Sequence, residues 1–302
     1  VSLVESAIAK LKRAGGEAAA EADAAGMGQA PGLSAATSSE IAPVASGRTD
    51  RRVVININAL RAAGYLPEAS KDRQFAEHFR RIKRPIIDKA MSGDRPSGDS
   101  RNRRLVMVTS ALPGDGKTFT TLNLALSIAR ERDVSVLLVD ADGLKQHVSS
   151  IFAMRDEPGL LDALMDVGVD VNSLVMATNL RGLSFLPAGR LSEGTAELLS
   201  SNRMKDIVAR LSNENPRRIV LMDSPPLLIT NEGRILLKLA GQVALVVRAG
   251  KTPEQAVRDA IAMLEPGQSG GVILNEGRVG LTEGYYGYGE YGGGDIVDGN
   301  KN

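Results

Sequence analysis

The chain has 302 residues, enough for one sizeable α/β domain with appendages. Its 37 basic and 36 acidic residues leave a formal net charge of +1, so no strongly basic surface argues for nucleic-acid binding. Cysteine is absent and the histidines are two, His78 and His147, which excludes disulfides, thiolate metal sites, iron–sulfur clusters and histidine-rich metal sites. No apolar run approaches the roughly 18 to 20 residues of a membrane span, and the N-terminus carries no signal-peptide apolar region. A soluble, cytoplasmic protein is expected.

Taken in chain order, residues 2–13 read as a short amphipathic helix. Ser2 is its N-cap with Glu5 three residues on, and Val4, Ala7, Ile8 and Leu11 form the stripe. It is either a tethered docking element or a frayed helix without a partner. Residues 14–50 are rich in Ala, Gly and Ser without an apolar period, so a flexible linker is expected. Residues 51–70 form a connector in which Arg52–Asn58 alternates like a short strand. Gln74–Ala90 reads as a helix interrupted near Pro85, and residues 91–103 are a polar connection.

Beyond that point strand and helix patterns alternate. The apolar runs Leu105–Thr109, Val134–Val139, Leu183–Leu186, Ile219–Met222, Val243–Val247 and Val272–Leu274 are short, bounded and continuous. Helical patterns separate most of them, such as Thr118–Arg130 with Leu122, Ala125, Leu126 and Ala129 on one face. Strands buried on both faces of a parallel sheet carry this pattern. A doubly wound, mostly parallel α/β domain is expected over residues 71–281. Residues 282–302 form a Gly-rich tail, expected to be disordered when free. It holds four of the five tyrosines, Tyr285, Tyr286, Tyr288 and Tyr291, interleaved with Gly and Glu rather than placed as core.

The first run leads directly into Ala111-Leu112-Pro113-Gly114-Asp115-Gly116-Lys117-Thr118 and a helix. This is the context of a P-loop, whose backbone N–H groups cradle phosphate at a helix N-terminus. The loop from Pro113 through Thr118, with Phe119 after it, is the candidate nucleotide site. Lys117 would reach the β/γ-phosphates and the Thr118 hydroxyl would ligate Mg²⁺. Ala111 stands where the common pattern has its first glycine. Asp140 and Asp142 end the second run and Asp223 ends the fourth, where α/β sheets bind ligands. Each Asp alone could be a helix N-cap; beside a P-loop, the three point to a Mg-nucleotide site of the P-loop NTPase type. Asp142 and Asp223 are the metal candidates with Thr118.

The combination SALPGDGKT, LLVDAD and IVLMDSPP, followed by the tyrosine cluster, resembles the bacterial protein-tyrosine kinases. Within them it is most similar to the exosortase-associated tyrosine autokinases of exopolysaccharide gene clusters. The resemblance implies ATP and Mg²⁺ as cofactors, with Lys117, Asp140 and Asp142 catalytic and the four tail tyrosines as acceptors. Glu77, Arg80 and Lys83 resemble the family's ExxRxxR oligomerisation motif, though lysine cannot reproduce a bidentate arginine fork. After Asp142 the family usually continues with a Leu-Arg pair, where this chain has Gly143-Leu144-Lys145. Asn275 sits where related folds contact adenine, or it simply starts a loop. The resemblance further implies a homo-oligomeric ring, an activating membrane-embedded polysaccharide co-polymerase and a cognate tyrosine phosphatase. The protein would then associate peripherally with the inner membrane through its partner. Two other readings share these motifs: a partitioning or cell-division ATPase, and a non-catalytic nucleotide-binding scaffold. The first wants a lysine where Leu112 stands and gives no reason for the tyrosine tail; retention of Lys117, Thr118 and three Asp residues argues against the second.

Overall fold

The computed structural model describes residues 51–92, 101–191 and 194–277. The N-terminal segment 1–50 and the tyrosine tail lie outside them, as do the expectations for a terminal helix and linker.

An eight-stranded sheet runs in the order β1-β4-β5-β3-β6-β2-β7-β8. The strands are β1 (Arg52–Val53), β2 (Leu105–Ser110), β3 (Ser135–Asp140), β4 (Met176–Thr178), β5 (Leu183–Leu186), β6 (Arg218–Asp223), β7 (Gln242–Arg248) and β8 (Ser269–Asn275). Neighbours are parallel except β4 and β5, which are antiparallel. Successive residues of a strand point to opposite faces, and both faces are covered. Leu105 and Met107 of β2 enter one core cluster while Val106 and Val108 enter the other. This is why the central strands read as continuous apolar runs. The doubly wound α/β expectation is met.

Helices α1 (Ile57–Ala62), α2 (Asp72–Met91), α3 (Lys117–Ala129) and α4 (His147–Ile151) lie in chain order through the first half. They are followed by α5 (Leu160–Met165), α6 (Val171–Leu174), α7 (Thr195–Ser200), α8 (Asn202–Asn213), α9 (Asn231–Leu239) and α10 (Glu254–Ala262). Three local expectations need correction. The strand expected over Arg52–Asn58 spans two residues, because the Asn56 side chain accepts from the Ala59 N–H at 3.0 Å and caps α1. Val53, Ile55, Leu60 and Leu66 are buried in the common core, so this stretch is part of the domain and not a connector to it. The break at Pro85 does not occur: α2 runs through it. Proline removes the N–H that would reach the Arg81 carbonyl, but Arg81 and Pro85 are on the exposed side, where water can serve that carbonyl. Phe79, Lys83 and Ala90 meanwhile hold the inner face of α2 down. A further strand, β4, has three residues, too short to leave an apolar signature.

Candidate active site

The parallel register places the functional ends side by side. Asp140 of β3 is the Cα partner of Asp223 of β6, and Val108 of β2 pairs with the same Asp223 on its other side. The loop leaving β2 therefore arrives beside two carboxylates. Gly114 and Gly116 have φ of +89° and +94°, left-handed backbone that glycine adopts without a Cβ penalty. Gly116 immediately precedes α3, whose first residue is Lys117. Ala111 is fully buried, and its methyl belongs to the core cluster, which accounts for alanine at the first loop position.

The loop is clamped from two distant elements. Asp115 Oδ1 accepts from Thr252 Oγ1 at 2.8 Å, and its Oδ2 accepts from the Leu112 N–H at 3.3 Å. The Asn275 side-chain Nδ2 donates to the Asp115 carbonyl at 3.0 Å, so Asn275 holds the phosphate loop itself. Phe119 turns its ring away from the loop and meets Phe75 edge-on at 6.3 Å.

Beneath the loop, Asp223 accepts from Thr118 Oγ1 through Oδ2 and from Thr121 Oγ1 through Oδ1, both at 2.9 Å. Burial pushes the Asp223 carboxyl up to about 6, against the opposing pull of Lys117 and the two hydroxyls. Asp140 is fully enclosed and is pushed up to about 7 by burial, then by the charge of Asp223. Its Oδ2 accepts from both the N–H and the Oγ of Ser149 at 2.8 Å, while among the described residues Oδ1 takes only the Asp142 N–H at 3.3 Å. Asp142 is 3% exposed and accepts from the Lys145 N–H at 3.2 Å. His147 opens α4 nearby; burial lowers its pKa, Asp142 opposes this, and the charges of Lys117, Lys145 and Arg155 reinforce it.

These residues fit a hard divalent cation. Thr118, Asp142 and Asp223 offer oxygen donors, and the charge of Asp142 helps to push up the carboxyls of Asp140 and Asp223, a repulsion that a bound cation would relieve. Among the described residues no three acidic or histidine side chains form a cage. Mg²⁺ does not need one, since it is commonly held by one or two carboxylates, substrate phosphate and water.

The elevated carboxyls make a stability prediction for the metal-free protein. Between about pH 4 and 7 the folded Asp140 and Asp223 bind protons that the unfolded chain has released, so their contribution to stability is present at low pH and lost as pH rises through that window. Asp140→Asn, which cannot ionise, should flatten the fall in melting temperature between pH 5 and 8 measured in chelator. An unchanged slope would contradict the buried-carboxylate account.

The expected oligomerisation residues do not share one surface. Arg80 is exposed and Glu77 half-buried, and the two are bonded to each other. Lys83, by contrast, is 8% exposed and donates to the Ser127 carbonyl at 2.7 Å and to Glu131 at 2.8 Å. Its ammonium fastens α2 to α3 within the chain and is not available as a surface contact. Sequence reasoning missed Thr121, Ser149 and Thr252, whose roles depend on partners brought together by the fold.

A glycine-containing strand–loop–helix, a buried lysine opening that helix and acids at adjacent strand ends define a P-loop nucleotide-binding domain. No protein-family model matches the chain. The tyrosine-protein kinase YwqD of Bacillus subtilis is 34% identical over 191 residues, covering 62% of this chain and 79% of YwqD. The tyrosine-protein kinase Wzc of Salmonella typhimurium is 30% identical over 189 residues, covering 62% of this chain but 26% of Wzc. The solved kinase domain of the Escherichia coli tyrosine kinase Etk superposes with a TM-score of 0.57 at 26% identity, covering 70% of this chain and 80% of that one. The chain belongs to the bacterial tyrosine-protein kinases.

Proposed function

We propose that the chain is an ATP- and Mg²⁺-dependent autokinase that phosphorylates Tyr285, Tyr286, Tyr288 and Tyr291 of a neighbouring copy and so regulates exopolysaccharide synthesis and export. The observation that carries this reading is where the polypeptide leaves the sheet. Asn275 ends β8 bonded to the phosphate loop, and the Arg248 guanidinium Nε donates to Glu276 at 2.7 Å. The acceptor tail thus departs from beside the loop that would hold the nucleotide.

Phosphoryl transfer requires mainly positioning and neutralisation of charge. Lys117 and the N–H groups from Gly114 to Thr118 would hold the phosphates. Thr118, Asp142 and Asp223 would hold Mg²⁺, which when bound neutralises phosphate oxygen charge. Asp140 would accept the phenol proton. A carboxyl at about 7 is a better base than an ordinary aspartate for a hydroxyl of pKa near 10. Its Oδ1, engaged by one long hydrogen bond, retains accepting capacity once the groups that enclose it part to admit the phenol.

From Asn275 to Tyr286 is 11 residues, a reach of at most roughly 35 to 40 Å, which permits entry into a neighbour's site. Glu77 and Arg80 would contribute to the contact between copies. Phosphorylating four tyrosines adds about −6 to −8 charges in seven residues, enough to expel the tails from carboxylate-lined sites and loosen the assembly. An activating membrane-embedded polysaccharide co-polymerase and an opposing tyrosine phosphatase are the partners this cycle needs. The test mixes a Lys117→Met chain with an intact tail and an active chain lacking residues beyond Gly284. The inactive chain should acquire phosphotyrosine. If it never does, while the intact chain modifies itself at a rate independent of concentration, transfer occurs within one chain.

A further inference from the structure

A second site lies away from the phosphate loop, between α1, α2 and the C-terminal end of α3. It is a cavity of about 540 Å³ with an arginine at four points of its lining: Arg61, Arg130, Arg132 and Arg181. The side chains of Arg130, Arg132 and Arg181 are exposed and form no hydrogen bond or ion pair among the described residues. Arg61 bonds Asp72 through Nη2 at 2.9 Å, while its Nη1 is buried with no hydrogen-bond partner among the described residues. The acidic residues of the lining are already committed, Asp72 to Arg61 and Glu131 to Lys83 at 2.8 Å. The floor is apolar, with Phe75 and Leu126 in it. Such a site wants a ligand with a flat apolar body and a multiply charged anionic end.

We propose that this cavity binds the phosphorylated tyrosine tail of a copy of this chain. The proposal rests on the autokinase reading for the origin of its ligand, though not for its test. A phosphotyrosine presents a ring to Phe75 and three acceptor oxygens to guanidinium groups, which bind phosphate through paired, charge-assisted hydrogen bonds. The tail itself is acidic, with Glu283, Glu290, Asp295 and Asp298 around or beyond its tyrosines and Lys301 the one basic residue past Thr282. Tyr285 and Tyr291 lie 8 and 14 residues beyond Gly277, a reach of at most about 28 and 50 Å. Once expelled from the acidic active site by its own charge, the tail would be retained at a basic one.

The experiment uses the full chain bearing Lys117→Met, so that it stays unphosphorylated, and synthetic peptides of residues 281–293. One peptide carries phosphate on all four tyrosines and the other carries none. The phosphopeptide should bind at least about tenfold more tightly, and Arg130→Glu or Arg181→Glu, both at exposed positions, should each remove roughly tenfold or more of that affinity. Equal binding of the two peptides overturns the proposal. So does phosphopeptide binding that ignores both arginine variants. If inorganic phosphate alone competes as well as the phosphopeptide, the cavity is a simple anion site and the tail proposal fails. A chain that makes no phosphotyrosine from ATP would refute the autokinase reading while leaving this binding result as it stands.

Discussion

Lys117→Met is expected to lower phosphotyrosine formation by roughly 10²- to 10³-fold or more, the loss seen when one preorganised electrostatic group is removed from a transition state. The lysine is 6% exposed at the first position of α3, directly after the left-handed Gly116. Its charge lowers the Asp223 carboxyl, so it lies within electrostatic reach of the acid that Thr118 also bonds. Methionine has similar length and helix propensity, so α3 should persist while the cation disappears. Asp223 would lose an opposing charge and bind its proton more tightly. The measurement is the initial rate of phosphotyrosine formation, with circular dichroism to show that the fold is kept. A variant that retains the wild-type rate would remove Lys117 from the mechanism.

Gly116→Ala is expected to abolish nucleotide binding and to destabilise the domain more than Gly114→Ala. Both glycines have positive φ, where an L-residue costs roughly 1–2 kcal/mol. At Gly114 a Cβ would meet nothing within 4 Å, so the backbone term is the whole cost. At Gly116 the added carbon would lie 2.0 Å from Asn275 Nδ2 and 3.1 Å from its Cγ. Asn275 cannot swing aside freely, because that Nδ2 is its bond to the Asp115 carbonyl. Thermal melts and nucleotide titrations of the two variants should separate them, and Gly116→Ala combined with Asn275→Ala should recover part of the lost stability. Equal melting temperatures for the two single variants would show that the Asn275 contact does not constrain the loop.

The same contact shows where sequence reasoning reached its limit. The strands from β2 to β8 that carry long apolar runs were legible, because burial on both faces leaves an unbroken signal. The positions of Asp140 and Asp223 were legible as the ends of apolar runs, and those of Lys117 and Thr118 as the start of the helix after the first loop. Thr252 was not: it bonds Asp115 across 137 positions, and nothing local distinguishes it from any loop threonine. Thr121 and Ser149 are hidden in the same way, since each acts through a carboxylate that only the fold brings near. Lys83 misled for a related reason. Its spacing from Glu77 and Arg80 matches a surface motif, but 3.6 residues per turn carries it to the inner face of α2 beside Ser127. Pro85 and the short β1 were misjudged because local propensity is a weak guide where tertiary packing decides.

The most direct measurement incubates the purified full chain with ATP labelled at the γ-phosphate and Mg²⁺, and then identifies the labelled residue by phosphoamino-acid analysis and peptide mapping. The account predicts label on tyrosine, in the peptide containing Tyr285 to Tyr291, and none with Lys117→Met. Release of inorganic phosphate with no label on tyrosine would contradict it.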